Sequence, residues 1–186
     1  MEQRATMFRR GLELREEQEK RIIRGYPVLF DEVTDRAGYY KEKIARTALD
    51  GADMSETVLI VGHDFNNLLA RVGVNMRMEV DETGLFFEAE LGDMEYDKLI
   101  YDRVKRGILD GMSFGFTVIE ESTDYETKTD TITRIGKLYE ITLTPIPAYP
   151  QTVATAVERD AAHEKELREA QEAEEAEKIF KELEEL

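Results

Sequence analysis

A chain of 186 residues can hold one domain with a proper core plus extensions, and 41% hydrophobic against 35% charged residues points to an ordinary core carrying a highly charged appendage. The net charge of −16 argues against a general nucleic-acid binder, because phosphate repulsion would oppose association. Zero cysteines exclude a disulfide framework, a thiolate nucleophile and a cysteine metal cluster, and suit a reducing cytoplasm.

No apolar run approaches the length of a membrane span, and the residues from Met1 to Thr6 do not read as a secretory signal. Residues 1–21 form a polar lead-in of mixed charge, either a short exposed helix or an unordered segment. Order is expected from Ile22 or Ile23. Arg24 to Phe30 reads as a first strand, with Asp31 to Gly38 as the loop that ends it. Glu42 to Leu49 is a short helix candidate, with Ile44, Ala45 and Ala48 at helical spacing.

Thr57 to Val61 is a continuous β-branched and apolar run, the pattern of a strand buried on both faces, and it delivers Gly62-His63-Asp64 at its end. Phe65 to Arg71 is expected to turn, with Asn66 and Asn67 favouring tight backbone. A hairpin follows. Val74, Met76, Met78 and Val80 alternate with polar residues, Asp81 to Gly84 forms the turn, and Leu85, Phe87, Ala89 and Leu91 resume the alternation.

From Met94 to Arg106 the period changes to helical, with Tyr96, Leu99, Ile100, Val104 and Ile108 on one stripe and Gly107 as the stop. Gly111 to Ile119 is a strand with Ser113 near its start. Glu120 to Asp130 is a polar surface turn or flap, and Thr131 to Thr144 is strand again. Three prolines between Pro145 and Pro150 stop that strand, since proline cannot continue a sheet ladder. Beyond Val157 the chain is rich in alanine and glutamate, and residues 158–186, with 12 acidic and 5 basic side chains, favour a helical acidic tail outside the core.

The candidate chemistry centres on Ser113, set among Gly111, Gly115, Phe114 and Phe116. Such a serine has little bulk beside it and accessible backbone N–H groups. A hydroxyl is a poor nucleophile until a base takes its proton, and histidine suits that task near neutrality. Of the two histidines, His163 lies among glutamates in the tail, which leaves His63 as the base. The plainer alternatives are a tight turn at Ser113 and a structural histidine at a strand end. Glu140, a carboxylate between Tyr139 and Ile141, is the preferred group to orient the imidazole, against an outward-facing strand glutamate; Asp64 and Asp110 are the other choices. Backbone N–H groups near Gly111 or Gly115, or in the loop from Thr144 to Tyr149, are available for an oxyanion hole. No GxSxG elbow, phosphate-binding glycine loop or His-x-x-x-His pair occurs, so no metal or cofactor is assigned.

Several stretches occur in an order that carries a family resemblance. They are Gly25 to Phe30; Gly62-His63-Asp64 followed by Leu68 to Ala70; Gly84 to Phe87; Gly107 to Phe116; and Leu138 to Pro150. Together these resemble the prohead (capsid maturation) proteases of tailed bacteriophages, a serine peptidase family related in fold to the herpesvirus assemblin proteases. The resemblance covers residues 22–157, the expected protease domain. It implies a mainly β fold with flanking helices (α+β), built on a small closed β-barrel, with His63 and Ser113 matching the family histidine and serine. Glu140 matches the glutamate of a leucine-x-glutamate-valine-serine motif, in which Ile141 and Thr142 stand here for the valine and serine.

By the same resemblance the enzyme would work in the host cytoplasm, enclosed in the immature shell. It would digest the scaffold segment of the major capsid protein and finally cut itself, with the portal as a further partner. Analogy to herpesvirus relatives adds a homodimer, and neither nucleic acid nor membrane is implied as a partner. The acidic tail would then recruit the protease into the assembling shell, or simply solubilise it. Two competing readings are an inactive assembly or scaffolding protein that keeps the protease fold, and a hydrolase using a metal held by carboxylates.

Overall fold

The computed structural model describes residues 20–36, 40–147 and 151–159, of which Arg21–Val157 form one compact unit. It is mainly β. The strands are β1 (Lys20–Leu29), β2 (Thr34–Arg36), β3 (Tyr40–Ile44), β4 (Val58–Val61), β5 (Asp64–Arg71), β6 (Met76–Val80) and β7 (Gly84–Leu91); helix α1 (Glu95–Lys105) precedes β8 (Gly111–Asp124), β9 (Thr129–Thr144) and β10 (Val153–Arg159). No helix among the described residues is long and apolar enough to cross a membrane.

The spine of the sheet is β9. Along one edge it pairs antiparallel with β8 over most of its length. Two strands run parallel to it at different heights: β3 beside its start, from Lys41↔Thr129 to Ile44↔Ile132, and β4 beside its end, from Val58↔Glu140 to Val61↔Leu143. The main path runs β2-β3-β9-β8-β10-β1-β7-β6, and β4 with its hairpin partner β5 branches from β9. The expected closed barrel is therefore not found. Among the described residues no pairing joins β6 back to β2 or β5, because β9 divides its length between β3 and β4 and the sheet branches there.

The hairpin of β6 and β7 forms as its alternation predicts, from Met76↔Ala89 to Val80↔Leu85. Leu85, Phe87, Ala89 and Leu91 are all buried, each full burial of a large apolar side chain contributing about 1.5–3 kcal/mol. Helix α1 also matches its expected span, with acidic Glu95 and Asp97 in the first turn and basic Arg103 and Lys105 in the last, both favourable to the helix dipole. The stripe it buries is Ile100, Tyr101 and Val104, while Leu99 and Ile108, assigned to that stripe from sequence, are exposed.

Other expectations give way to tertiary pairing. Glu42 to Leu49 is not a helix: Tyr40–Ile44 is a strand, since its ladder to β9 outweighs a weak helical stripe, and turns follow. The loop after β1 contains the short strand β2, paired with β3. Phe65 to Arg71 is strand β5 rather than a turn. The polar segment from Glu120 does not leave the sheet at once, because β8 continues to Asp124 and only residues 125–128 turn. Strand β10, which has no counterpart among the elements expected from sequence, pairs Val153 with Gly111. Of the acidic tail only Glu158 and Arg159 are described, and they close β10; the expected helix lies outside the described residues, as does the lead-in except for Lys20 and Arg21.

Candidate active site

His63 owes its position to the hairpin between β4 and β5. Val61 pairs with Asp64, so Gly62 and His63 are the two central residues of a two-residue loop. Both have positive φ, 66° and 60°, the signature of a type I′ turn, whose twist suits the flanking strands. Glycine takes that conformation without strain, whereas histidine takes it at some cost, which makes the tip a place to look for function. The turn comes before the expected stretch of Phe65 to Arg71, because Asn66 and Asn67 lie in an irregularity of β5: Ile60 pairs with Leu68, and Phe65 to Asn67 have no partner on β4.

The tip is pinned to β9. The Gly62 N–H donates to the Leu143 carbonyl at 2.9 Å, continuing the parallel ladder one residue past β4. The next donor, His63 N–H, reaches the Thr142 hydroxyl at 3.0 Å, and that hydroxyl donates in turn to the Ile60 carbonyl at 3.3 Å. The imidazole is half exposed, at 52%, so packing alone does not fix it. Its Nδ1 lies 2.8 Å from Glu140 Oε1.

Glu140 and Thr142 are two apart on β9 and so project from the same face. Their antiparallel partners on β8 are Gly115 and Ser113, and direct partners also share a face. The Ser113 side chain therefore projects on the face that carries Glu140 and, bonded to it, the imidazole. Phe114 and Phe116 project from the other face, where their rings stack with centroids 4.8 Å apart. Gly115 is there for close approach. A Cβ on it would stand 2.8 Å from Glu140 Oε1 and 3.2 Å from its Cγ, so the carboxylate lies across the space that a side chain would fill.

Glu140 is buried, and its Oε2 has no hydrogen-bond partner among the described residues. Desolvation raises its pKa above the usual carboxylate range, opposed by the hydrogen bond and charge of His63. The ionised carboxylate is thus best compensated when the imidazole carries a proton. With Nδ1–H donated to Glu140, Nε2 is left as the basic nitrogen.

The structure thus brings His63 and Glu140 into contact and sets Ser113 on the same face, one strand beyond Thr142. It does not close a Ser113–His63 hydrogen bond among the described residues, and Ser113 is only 3% exposed. The alternatives to Glu140 are occupied elsewhere. Asp64 accepts the Asn66 N–H and the side-chain amides of Asn66 and Asn67, bracing the bulge of β5. Asp110 is exposed and gives its backbone carbonyl to Ala154 N–H. In the loop considered for an oxyanion hole, Ile146 N–H is engaged by the Thr144 hydroxyl at 3.2 Å. Among the described residues no three His, Cys, Asp or Glu side chains gather as a metal-holding group.

Two residues of this arrangement are not singled out by the sequence. Thr142 stands there only as a substitution within the glutamate motif, and Gly115 only as small bulk near the serine. The available signal is register: once Ser113 and Thr142 are partners, Gly115 must face Glu140.

Comparison with known proteins bears on the fold and the family. Among solved structures, KSHV protease in complex with a hexapeptide phosphonate inhibitor matches with a TM-score of 0.50 and 11% identity, over 74% of this chain. The match spans 65% of the length of that protease, and at such identity it shows likeness of fold alone. No curated protein matches the chain. Residues 10–166, well over half of the sequence, match the family of caudovirus prohead serine proteases. The chain belongs to that family.

Proposed function

We propose that this protein is a serine endopeptidase of capsid maturation, with Ser113 as nucleophile, His63 as general base and acid, and Glu140 as the group that orients and neutralises the imidazole. Ser113 Oγ attacks the scissile carbonyl carbon while its proton passes to His63 Nε2. The new imidazolium keeps its Nδ1–H on Glu140, and the buried carboxylate is compensated as that charge develops. The Nε2 proton then passes to the leaving amine. Water, activated by His63, hydrolyses the Ser113 ester and restores the enzyme. The observation that carries this reading is the 2.8 Å contact between His63 and Glu140 on the face that also bears Ser113.

The substrates proposed are the scaffold segment of the major capsid protein and, last, the protease itself, inside the prohead in the host cell. The portal and a second copy of this chain are further proposed partners, and residues 158–186 are proposed to recruit the enzyme into the assembling shell. Co-expression with the capsid protein tests the activity: fragments are expected with the wild-type chain and not with Ser113→Ala. Fragments that persist at the wild-type rate in that variant would remove Ser113 from its role. Undiminished incorporation of a chain lacking 158–186 into particles would remove the recruiting role of the tail.

The second reading, an inactive assembly protein with a protease fold, draws on the near-complete burial of Ser113. It predicts intact capsid protein with either chain.

A further inference from the structure

The Thr142 hydroxyl is fully buried and uses both of its hydrogen-bonding capacities on one short stretch of chain. It accepts the His63 N–H at 3.0 Å and donates to the Ile60 carbonyl at 3.3 Å. Because its proton is committed to Ile60, its lone pair is directed at His63 rather than free to rotate away. In a two-residue hairpin the N–H groups of both central residues have no partner within the hairpin itself. Here the Gly62 N–H finds a backbone carbonyl on β9, whereas the His63 N–H, one residue further on, is held by a side chain. Thr142 also sits at the midpoint of the site, opposite Ser113 on β8 and opposite Ile60 on β4.

We infer that Thr142 is a positioning residue: its hydroxyl fixes the backbone of the turn that carries His63, and so aims an imidazole whose own ring is half solvent-exposed. The inference deepens the proposed protease reading and rests on it for its catalytic consequence. Two separate ties from β9 then define the ring. Thr142 holds the Cα end and Glu140 holds Nδ1, which leaves little freedom for Nε2.

The test uses the full chain with Thr142→Val, which keeps the shape and removes the hydroxyl, and Thr142→Ser, which restores it. The second-order rate at which Ser113 reacts with a fluorophosphonate probe, taken at low probe concentration, reads whether the base is aimed. The chain has only two histidines, so the imidazole N–H signals in ¹⁵N-edited spectra are few and His163 serves as an internal control. In Thr142→Val the labelling rate is expected to fall about 10- to 100-fold, as misplacement of a catalytic group by an ångström does, and the protected Nδ1–H signal of His63 to be lost. Thr142→Ser is expected to recover both. A purely structural role would instead lower labelling only in proportion to the unfolded fraction.

Labelling and an Nδ1–H signal in Thr142→Val that match wild type would overturn the inference. Should Thr142→Val not fold, amide exchange in the wild-type chain decides: slow exchange of the His63 N–H at an exposed hairpin tip supports the bond, and exchange as fast as an unprotected amide overturns it. A wild-type chain that never reacts with the probe would count against the protease reading. The imidazole signal and amide exchange would still decide the role of Thr142.

Discussion

Glu140 Oε1 meets His63 Nδ1 at 2.8 Å across two strands, joining a buried carboxylate to a half-exposed imidazole. The pairing is asymmetric. Burial penalises the charged carboxylate and raises its pKa, while the imidazole opposes that shift. A folded-state pKa above the unfolded value means that the native state binds this proton more tightly. The resulting stabilisation is fully present below the unfolded value, about 4.3, and is lost as pH rises through the folded value. Glu140→Gln removes this titration. Its melting temperature relative to wild type is expected to rise from pH 4 towards neutrality, while peptide cleavage falls by roughly 10²- to 10⁴-fold because the imidazolium loses its counter-charge. A stability difference between the two chains that stays constant with pH would show that Glu140 is not held this way.

Gly115 is expected to be as sensitive as a catalytic position although it contributes no side chain. A Cβ there meets Glu140 Oε1 at 2.8 Å, with Cγ and Cδ at 3.2 and 3.3 Å, and Glu140 is too enclosed to move far. Gly115→Ala should destabilise the fold by about 1–3 kcal/mol through overpacking. Its cleavage rate should fall further than the folded fraction accounts for, because the carboxylate is pushed off Nδ1. Thermal melts combined with cleavage assays check this, and wild-type activity in Gly115→Ala would refute it.

The hairpin tip offers a graded test of backbone strain. Gly62 has φ of 66°, and a Cβ added to it would meet nothing within 4 Å, so a substitution there is limited by conformation and not by space. Gly62→Ala is expected to cost about 1–2 kcal/mol, and Gly62→Asn less, since asparagine enters the left-handed region more readily. Chemical denaturation ranks the three chains. Equal stability of the alanine and asparagine variants would argue against a type I′ turn at this position.

What was legible in the sequence follows the range of the interactions. The β6–β7 hairpin and α1 could be read because their periodicity and turn residues are local, as are the proline stop after Thr144 and the strand ending at Val61. Glu42 to Leu49 misled because three small or apolar residues at helical spacing say nothing of β9, whose first residues claim Tyr40–Ile44 as a parallel neighbour. The branched sheet was illegible for the same reason: β9 serves β3 and β4 at different heights, a property of a long strand that no local pattern encodes. At the site, residue chemistry pointed to Ser113, His63 and Glu140, and the structure brings the last two into contact. It took register to reveal Thr142 and Gly115, because a threonine and a glycine become informative only once it is known what they face.

The burial of Ser113 carries the last prediction. At 3% exposure the residue sits beneath the surface while His63 stands half in solvent, so a peptide carbonyl cannot reach the hydroxyl without some opening of this face. Reaction with a serine-directed fluorophosphonate should therefore be limited by that opening. The rate is expected to rise with reagent at low concentration and then to level off at a value set by the opening step, where a freely accessible serine would give a straight line. Mild urea, below the unfolding transition, should raise the plateau if the opening exposes buried surface. A strictly linear dependence, insensitive to urea, would mean that the nucleophile is already accessible. Labelling of Ser113→Ala at the same rate would place the reactive group elsewhere.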